Sequence, residues 1–506
     1  MRELWTVVDE VLFGIGLPVL LFGVGLIYLV ALRAFAYAHP LRTLRFGFSG
    51  NKKSALRALS VALGGTLGVG NITGVALALA AGGAGALFWM WVSAAVAVFL
   101  KYAEIVLALV TRRRGADGTY EGGAMHYLRG RGGVVGRAVA FLFAVLCLLC
   151  ALTLGAPVQS NAAAGALSEA LGVPPLLTGL LLLFFSALAV FGGIRRISAF
   201  TERLIPLMSV LYLLLCIFAV LRHSAALPAV LSRVLREAFS FSAGASGVGG
   251  FLAARALRYG VTRGLLSHEA GAGTAAMAHA VAENTPTAQG VMGVLEVLID
   301  TFVFCTATAL VLLIAFPAGF PQLSGMGLLS AAFSRLVGNF ATPLLALSLF
   351  LFAYATVLAW CYYGRRAVGY LTGRASLERG YLYVYVLLVG CGALLPEGWL
   401  WALTDAVVSS LTMLHSASLL PLLPTVLRES RRAGLLGGKG AKVDGGEPVA
   451  QKEGGKILGD GRGERHRPSV ARMREDDACR VEHRARHSVT RAPIQAVSQN
   501  GEARRG

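Results

Sequence analysis

Residues 64–71 read Gly64-Gly65-Thr66-Leu67-Gly68-Val69-Gly70-Asn71, and they fall in the middle of an apolar run spanning 58–81. Each glycine weakens a helix by ~1 kcal/mol against alanine, so four in eight residues beside Thr and Asn invite local unwinding. Unwound backbone exposes carbonyls and amides that hydrocarbon cannot satisfy, so it must line a polar cavity. A second stretch behaves alike: Ser267-His268-Glu269-Ala270-Gly271-Ala272-Gly273-Thr274 interrupts the run at 246–281.

Outward from these breaks, apolar runs recur near 12–33, 85–110, 138–166, 174–192, 204–221, 291–316, 341–364, 381–396 and 398–423. With the two broken runs the total is about eleven. A hydrocarbon core of ~30 Å needs ~20 apolar residues in a helix, and most of these runs approach or exceed that. They are Leu-, Ala- and Val-rich without period-two alternation, which excludes a β-barrel. Of the 506 residues 56% are hydrophobic and 14% charged. The expected fold class is therefore an all-α polytopic membrane protein. Residues 326–337 are too short to span and are expected at the membrane interface.

The net charge of +19 does not indicate nucleic acid. Alternate loops are basic: Arg33, Arg42, Arg45, Lys52, Lys53 and Arg57 after the first run, and Arg112, Arg113, Arg114, Arg129, Arg131 and Arg137 after the third. Arg195, Arg196 and Arg203 follow the fifth run, and Arg365, Arg366, Arg374 and Arg379 the ninth. The other side carries only Arg2, Arg222, Arg233, Arg236 and Arg335. This positive-inside pattern predicts a plasma-membrane protein with its N-terminus outside and its C-terminal tail in the cytoplasm. Met1 to Glu10, with three acids and one arginine, does not read as a signal peptide. From Glu429 onward the composition turns polar, Gly- and Arg-rich, and predicts a disordered basic tail over 429–506. Six cysteines lie in apolar runs and read as small packing residues with no disulfide.

Counting runs two to six and seven to eleven as two halves, each half opens with a broken helix, and five spans per half give the halves opposite orientation. That arrangement is the sequence signature of an inverted-repeat secondary transporter. Its parts would be 1–34 as an extra N-terminal helix, 35–222 and 223–428 as the two core halves, and 429–506 as the tail. Intramembrane ionisable groups are the further candidates: Lys101 and Glu104, read as an i,i+3 ion pair, then Glu269, Glu296, Asp300 and Asp405. His279 and His415 read as isolated packing residues. No Walker loop, His/Cys metal array or GxSxG elbow is present, so the chain does not read as an enzyme.

At these residues the chain resembles the sodium:alanine (alanine or glycine:cation) symporter family over roughly 10–427. The likeness rests on Gly68-Val69-Gly70-Asn71-Ile72-Thr73-Gly74-Val75-Ala76, Gly82-Gly83-Ala84-Gly85-Ala86-Leu87-Phe88-Trp89-Met90-Trp91 and Lys101-Tyr102-Ala103-Glu104. Further blocks are Val158-Gln159-Ser160-Asn161, Phe191-Gly192-Gly193-Ile194, Arg263-Gly264-Leu265-Leu266-Ser267-His268-Glu269-Ala270-Gly271, Gln289-Gly290 and Asp300-Thr301. The resemblance implies a leucine-transporter-like 5+5 inverted repeat with one extra N-terminal helix. It implies Na⁺-coupled import of alanine, glycine or a similar small neutral amino acid, with Na⁺, that amino acid and the lipid bilayer as partners and no nucleic acid.

By the same resemblance, Gly64 and Leu67 carbonyls with Thr356 would hold Na⁺. Gly70 and Asn71 would meet substrate from one break, and Ser267, Glu269, Gly271, Gly273 and Thr274 from the other. Gln159 and Asn161 would face the same cavity. The amides of Gly70 and Gly273 are expected to approach the substrate carboxylate with no Cβ between. The chain departs from the family pattern at Val69, where threonine is usual, at His268 within the usual Ser-Asn-Glu, and at Ala355, where serine is usual. Fewer hydroxyls near the ion leave proton coupling through Glu269 or Asp300 as an alternative, and a non-transporting amino-acid sensor or scaffold as another.

Overall fold

The computed structural model describes residues 14–115, 120–130, 132–239, 248–323 and 325–436. It is almost wholly helical; a two-residue antiparallel ladder, β1 (Arg113–Arg114) with β2 (Tyr120–Glu121), closes one loop. Each of the eleven apolar runs falls on helix. Among the described residues, seven helices are long and apolar enough to cross a membrane, and a bent pair makes an eighth.

Helix α1 (Leu17–Ala31) carries Pro18 in its first turn, where the missing N–H costs nothing. Helix α2 (Lys52–Thr66) is capped by Asn51, whose side chain accepts from the Ser54 amide, and stops at Leu67. After a 3₁₀ turn at Val69–Asn71, α3 (Thr73–Gly82) resumes at a 63° angle. The glycine cluster therefore breaks its span, as its composition predicts. Helix α4 (Gly85–Thr111) crosses the core in one piece. A short α5 (Ala124–Arg129) leads into α6 (Gly133–Thr153). A π turn at Leu154–Val158, containing Pro157, joins α6 to α7 (Gln159–Leu171). Helices α8 (Pro175–Val190) and α9 (Gly193–Arg222) follow.

The second half begins with α10 (Leu227–Ala238), which lies against α4. Helix α11 (Val248–His268) then ends, and the chain runs through six non-helical residues before α12 (Ala275–His279). Gly271 and Gly273 adopt φ of +87° and +77° there, and Glu269 +50°, so this break too lies where the glycines predict. Helix α13 (Pro286–Val297) passes through a second π segment, Leu298–Cys305, into α14 (Thr306–Ala315). Then come α15 (Gly325–Leu336), α16 (Ala341–Thr372), α17 (Ala375–Gly392), α18 (Glu397–Leu419) and α19 (Leu423–Arg432).

The segment at 326–337 forms helix α15, which buries Met326, Leu328, Leu329, Ala332 and Phe333 against α3 and α14. One expectation changes. The tail does not begin at 429 as irregular chain, because α19 runs through it to Arg432. Ser430 there hydrogen-bonds the Tyr102 hydroxyl at 2.7 Å, and Leu436 is buried. The rest of the expected disordered tail, from 437, lies outside the described residues. The cysteines of the apolar runs are buried except Cys391.

Candidate functional site

The first break is held by neutral oxygens. Thr356 on α16 donates its hydroxyl to the Gly64 carbonyl at 3.0 Å. Gln159, the residue immediately after the π turn, accepts from the Val69 amide at 3.4 Å and donates to the Leu154 carbonyl at 3.1 Å. Gly68 lies between them: a Cβ there would sit 2.7 Å from Thr356 Oγ1 and 3.4 Å from Gln159 Oε1. A Cβ on Gly64 would meet the Ala355 carbonyl at 3.4 Å. Gly64, Gly68, Val69, Gln159, Ala355 and Thr356 thus surround one small spot. Its oxygens are hard and uncharged, and two glycines keep methyl groups out of it. That donor set fits a monovalent cation. Leu67 lies beside it, with its amide turned back to the Leu63 carbonyl.

Asp300 joins the two breaks. It sits in the π segment of the eighth run, fully buried. Its Oδ1 accepts from Asn71 Nδ2 at 2.6 Å, and its Oδ2 accepts from Ser267 Oγ at 2.7 Å and Thr301 Oγ1 at 3.1 Å. Asn71 belongs to the first break and Ser267 to the end of α11, so one carboxylate ties both. Asn71 Oδ1 is buried and has no hydrogen-bond partner among the described residues. A buried acceptor left so costs about 1–3 kcal/mol unless something donates to it. Gly70 lies alongside, and a Cβ there would meet nothing nearer than the Leu266 carbonyl at 3.6 Å. Here, between the two breaks, an orphan acceptor sits beside a glycine where an added Cβ would make ordinary van der Waals contact.

The second break is held by charged and aromatic groups. The Gly273 amide donates to Glu104 Oε2 at 3.0 Å. The Gly271 carbonyl pairs with His415 Nδ1 at 2.7 Å and accepts from Ser416 Oγ at 3.0 Å. His415 Nε2 is 2.5 Å from the Tyr127 hydroxyl of α5. Glu269 accepts from Thr274 Oγ1 at 2.7 Å, and the Ala270 amide donates to His268 Nδ1 at 3.0 Å. Below this lies Lys101, wholly buried, 3.3 Å from Glu296 and 3.7 Å from Glu104. Glu296 also contacts His279 at 3.0 Å, and His279 contacts Gln289 at 2.7 Å.

The structure therefore brings Gly64, Leu67, Gly70, Asn71, Gln159, Ser267 and Thr356 around one region, and Glu269, Gly271, Gly273 and Thr274 into the second break. It does not bring Asn161 there. That amide donates to the Leu395 and Gly392 carbonyls at 2.7 and 3.4 Å, at the end of α17, because it lies on α7's far side from Gln159. The Gly273 amide is already engaged by Glu104, so it is not an open donor for a ligand carboxylate. The Lys101–Glu104 pair forms as the i,i+3 spacing predicts, but Glu296 lies closer. His279 and His415 are not isolated packing residues. Asp405 forms a two-pronged contact with Arg263, at 3.2 and 3.1 Å. Asp300 as the bridge and Glu104 as the amide's partner escape sequence reasoning. The imbalance of one lysine against three glutamates inside apolar runs is the signal that could have found the second cluster.

Comparison with known proteins matches the sodium:alanine symporter family over residues 1–432. The chain belongs to the sodium:alanine symporter family. It is 35% identical to the sodium/alanine symporter AgcS of Methanococcus maripaludis, over 84% of this chain and 95% of that one. It is 31% identical to a putative sodium/proton-dependent alanine carrier protein, YrbD, of Bacillus subtilis, over 82% and 89% of the two chains. The structure of MhsT in complex with L-phenylalanine superposes with a TM-score of 0.50 at 15% identity, covering 75% of this chain and 89% of that one. At that identity the likeness carries the fold, which is leucine-transporter-like. The member described here is thus a multi-pass membrane transporter of the cation-coupled amino-acid symporter class, and not an enzyme.

Proposed function

We propose that the protein imports a small neutral amino acid of the alanine or glycine kind, coupled to Na⁺. The carrying observation is Asp300, which holds Asn71 and Ser267 of the two breaks beside an orphan acceptor and next to Gly70. In this reading the Asn71 Oδ1 accepts from the substrate ammonium, Gly70 lets the carboxylate approach, and Ser267 lines the same space. A substrate α-carbon carrying little more than a methyl group is supported by the buried apolar residues Val69 and Ile72, which flank Gly70 and Asn71 in the chain. Gly64, Thr356 and Gln159 would hold Na⁺, whose positive charge would favour a nearby carboxylate. The two ligands then raise each other's affinity, since coupling is reciprocal. The halves 35–222 and 223–428 would rock about this region as inverted repeats, with 1–34 outside that motion. The basic loops support a cytoplasmic tail and an outside N-terminus by the positive-inside rule.

Uptake of radiolabelled alanine and glycine into proteoliposomes, with and without an inward Na⁺ gradient, tests this. Concentrative uptake only with the gradient is expected. Flux that ignores Na⁺ removes the coupling reading, and flux that does not saturate removes the carrier itself. A second reading is favoured by the buried carboxylates of Asp300 and Glu269, both within the candidate region: coupling to H⁺. An inward proton gradient without Na⁺ would then drive the same uptake.

A further inference from the structure

Helix α9 is 30 residues long, about 45 Å at 1.5 Å per residue, which exceeds a hydrocarbon core of ~30 Å. The stretch 204–221 carries no charge and is bracketed by Arg203 and Arg222. Eighteen residues give about 27 Å. Arg203 therefore sits where hydrocarbon ends, and Arg196, two turns earlier, sits about 10 Å further out at headgroup depth. Between and below them is a groove of about 250 Å³, lined by Arg196, Ala199, Phe200, Arg203, Leu204 and Leu207. No acidic side chain lines it. Glu202, next in sequence, is held 3.0 Å from Arg57 on α2. Arg196 donates to the Leu188 carbonyl through one nitrogen at 3.0 Å, leaving the rest of its guanidinium outward. The opposite face of α9 is the buried stripe Ile197, Thr201 and Ile205. Thr201 and Ile205 are the side chains nearest Gly64, each 3.6 Å from where its Cβ would be.

We propose that this groove binds an anionic phospholipid of the leaflet that meets the basic loops. Arg196 and Arg203 hold its phosphate, and Phe200, Leu204 and Leu207 carry the start of an acyl chain. Two cations over an apolar floor, at the depth where a phosphate meets its chain, match such a molecule and do not match a zwitterionic one or a soluble anion. The lipid would press on the outer face of the helix whose inner face touches Gly64, so it would support the first break from behind. That last step rests on the transport reading given above; the binding does not.

The full chain, purified in detergent, is titrated with phosphatidylglycerol, with phosphatidylcholine and with inorganic phosphate while native mass spectrometry counts bound lipid. Preferential retention of phosphatidylglycerol is expected, weakened about 5-fold by R196Q or R203Q and about 25-fold by both, from the usual contribution of one basic group to anionic-lipid binding. Arg236→Gln, on α10 at the other membrane face, is expected to change nothing. Equal retention of phosphatidylcholine, displacement of the lipid by millimolar phosphate, or unchanged binding in the well-folded double variant would each overturn the site. In proteoliposomes, alanine uptake should rise with the phosphatidylglycerol fraction in the wild type and stay flat in R196Q/R203Q. A parallel rise in both would sever the link to Gly64 while leaving the binding result to stand by itself.

Discussion

The two helix breaks look alike in sequence and are built differently. The break at 64–71 is held by hydroxyl and amide groups, with a buried Asn71 oxygen that has no partner among the described residues. The break at 268–274 has its exposed backbone already engaged: the Gly273 amide by Glu104, the Gly271 carbonyl by His415 and Ser416. The second break's backbone is thus largely complete, and what it leaves open is a side chain: His268 Nε2 is buried with no hydrogen-bond partner among the described residues. In the first break the open group, Asn71 Oδ1, sits on the bridge that Asp300 makes between the two breaks, and in the transport reading that is where a ligand completes the site. Two unwound segments of like composition therefore differ in which groups they leave unpaired.

The largest effect expected from this contrast comes from Lys101, the one buried cation of the second cluster among the described residues. Lys101→Ala leaves Glu104 and Glu296 buried without their cation, a change that costs about 3–5 kcal/mol. Loss of most of the protein from the membrane, read by immunoblot of membrane fractions, is the expected result. Normal abundance would mean that the second break does not depend on its charges.

The glycines separate the breaks more sharply. Gly273→Leu forces a side chain into φ +77°, with its Cβ 2.7 Å from the His415 ring, so the variant is expected to fail to accumulate. Gly70→Leu meets nothing closer than 3.6 Å at its Cβ and should accumulate normally while losing alanine uptake. Leu181→Ala, at a 38% exposed position on α8, is the control and should keep both. Should Gly70→Leu transport at the wild-type rate, the first break is not the substrate's place.

Asp300→Asn keeps the shape but removes the charge that Asn71 and Ser267 share. Hydrogen bonds to charged groups are worth about 1.5–3 kcal/mol, so the half-saturating alanine concentration should rise roughly 10- to 100-fold with the protein still abundant. Ala355→Ser adds a hydroxyl beside Thr356, and a net hydrogen-bond-sized gain of about 1 kcal/mol lowers the half-saturating Na⁺ concentration about 5-fold. An unchanged value would remove Ala355 from the ion's surroundings.

The smallest effect is a pH window at α5, which carries Tyr127 to His415 and so supports the second break only. Burial, and then the nearby guanidinium groups of Arg366 and Arg113, push the His126 imidazole down from 6.5 to about 4. An unfolded chain binds this proton at pH 6.5 and the folded one does not until about 4. Stability from this group is thus present above 6.5 and lost as pH falls through that window. His126→Gln should flatten the acid limb of the melting temperature between pH 6.5 and 4. An acid limb that survives unaltered would assign it to another group.

Much of the architecture was legible because it depends on local chemistry. Glycine clusters within apolar runs forecast both breaks, and run length forecasts the helices; among the described residues seven, or eight with the bent pair, are long and apolar enough to span, against the eleven expected. Gln159 and Thr356 come from family likeness alone; in the structure they touch Val69 and Gly64. What stayed hidden depends on pairs far apart in the chain. Glu104 and Gly273 are 169 residues apart, and His415 and Gly271 are 144 apart, so no periodicity relates them. Asn161 misled because it lies two residues from Gln159, and on a helix that spacing turns a side chain some 200° away. The helix at 423–432 was hidden because its Arg-rich polar face resembles the composition of unstructured chain.

The π turns at Leu154–Val158 and Leu298–Cys305 carry a consequence for how this chain can change over time. Such a turn holds a surplus residue compared with an ordinary helical turn. Deleting one residue within the turn would heal the helix into regular form with the flanking segments near their places, whereas deleting one elsewhere in the same helix would swing everything beyond it through about 100°. Gln159 would leave Val69, and Thr308 would leave Tyr212, its partner at 2.7 Å. The site is thus tied to a count as well as to residue types. Substitutions can drift through these two helices, while single-residue gaps on either side of the surplus are closed to them.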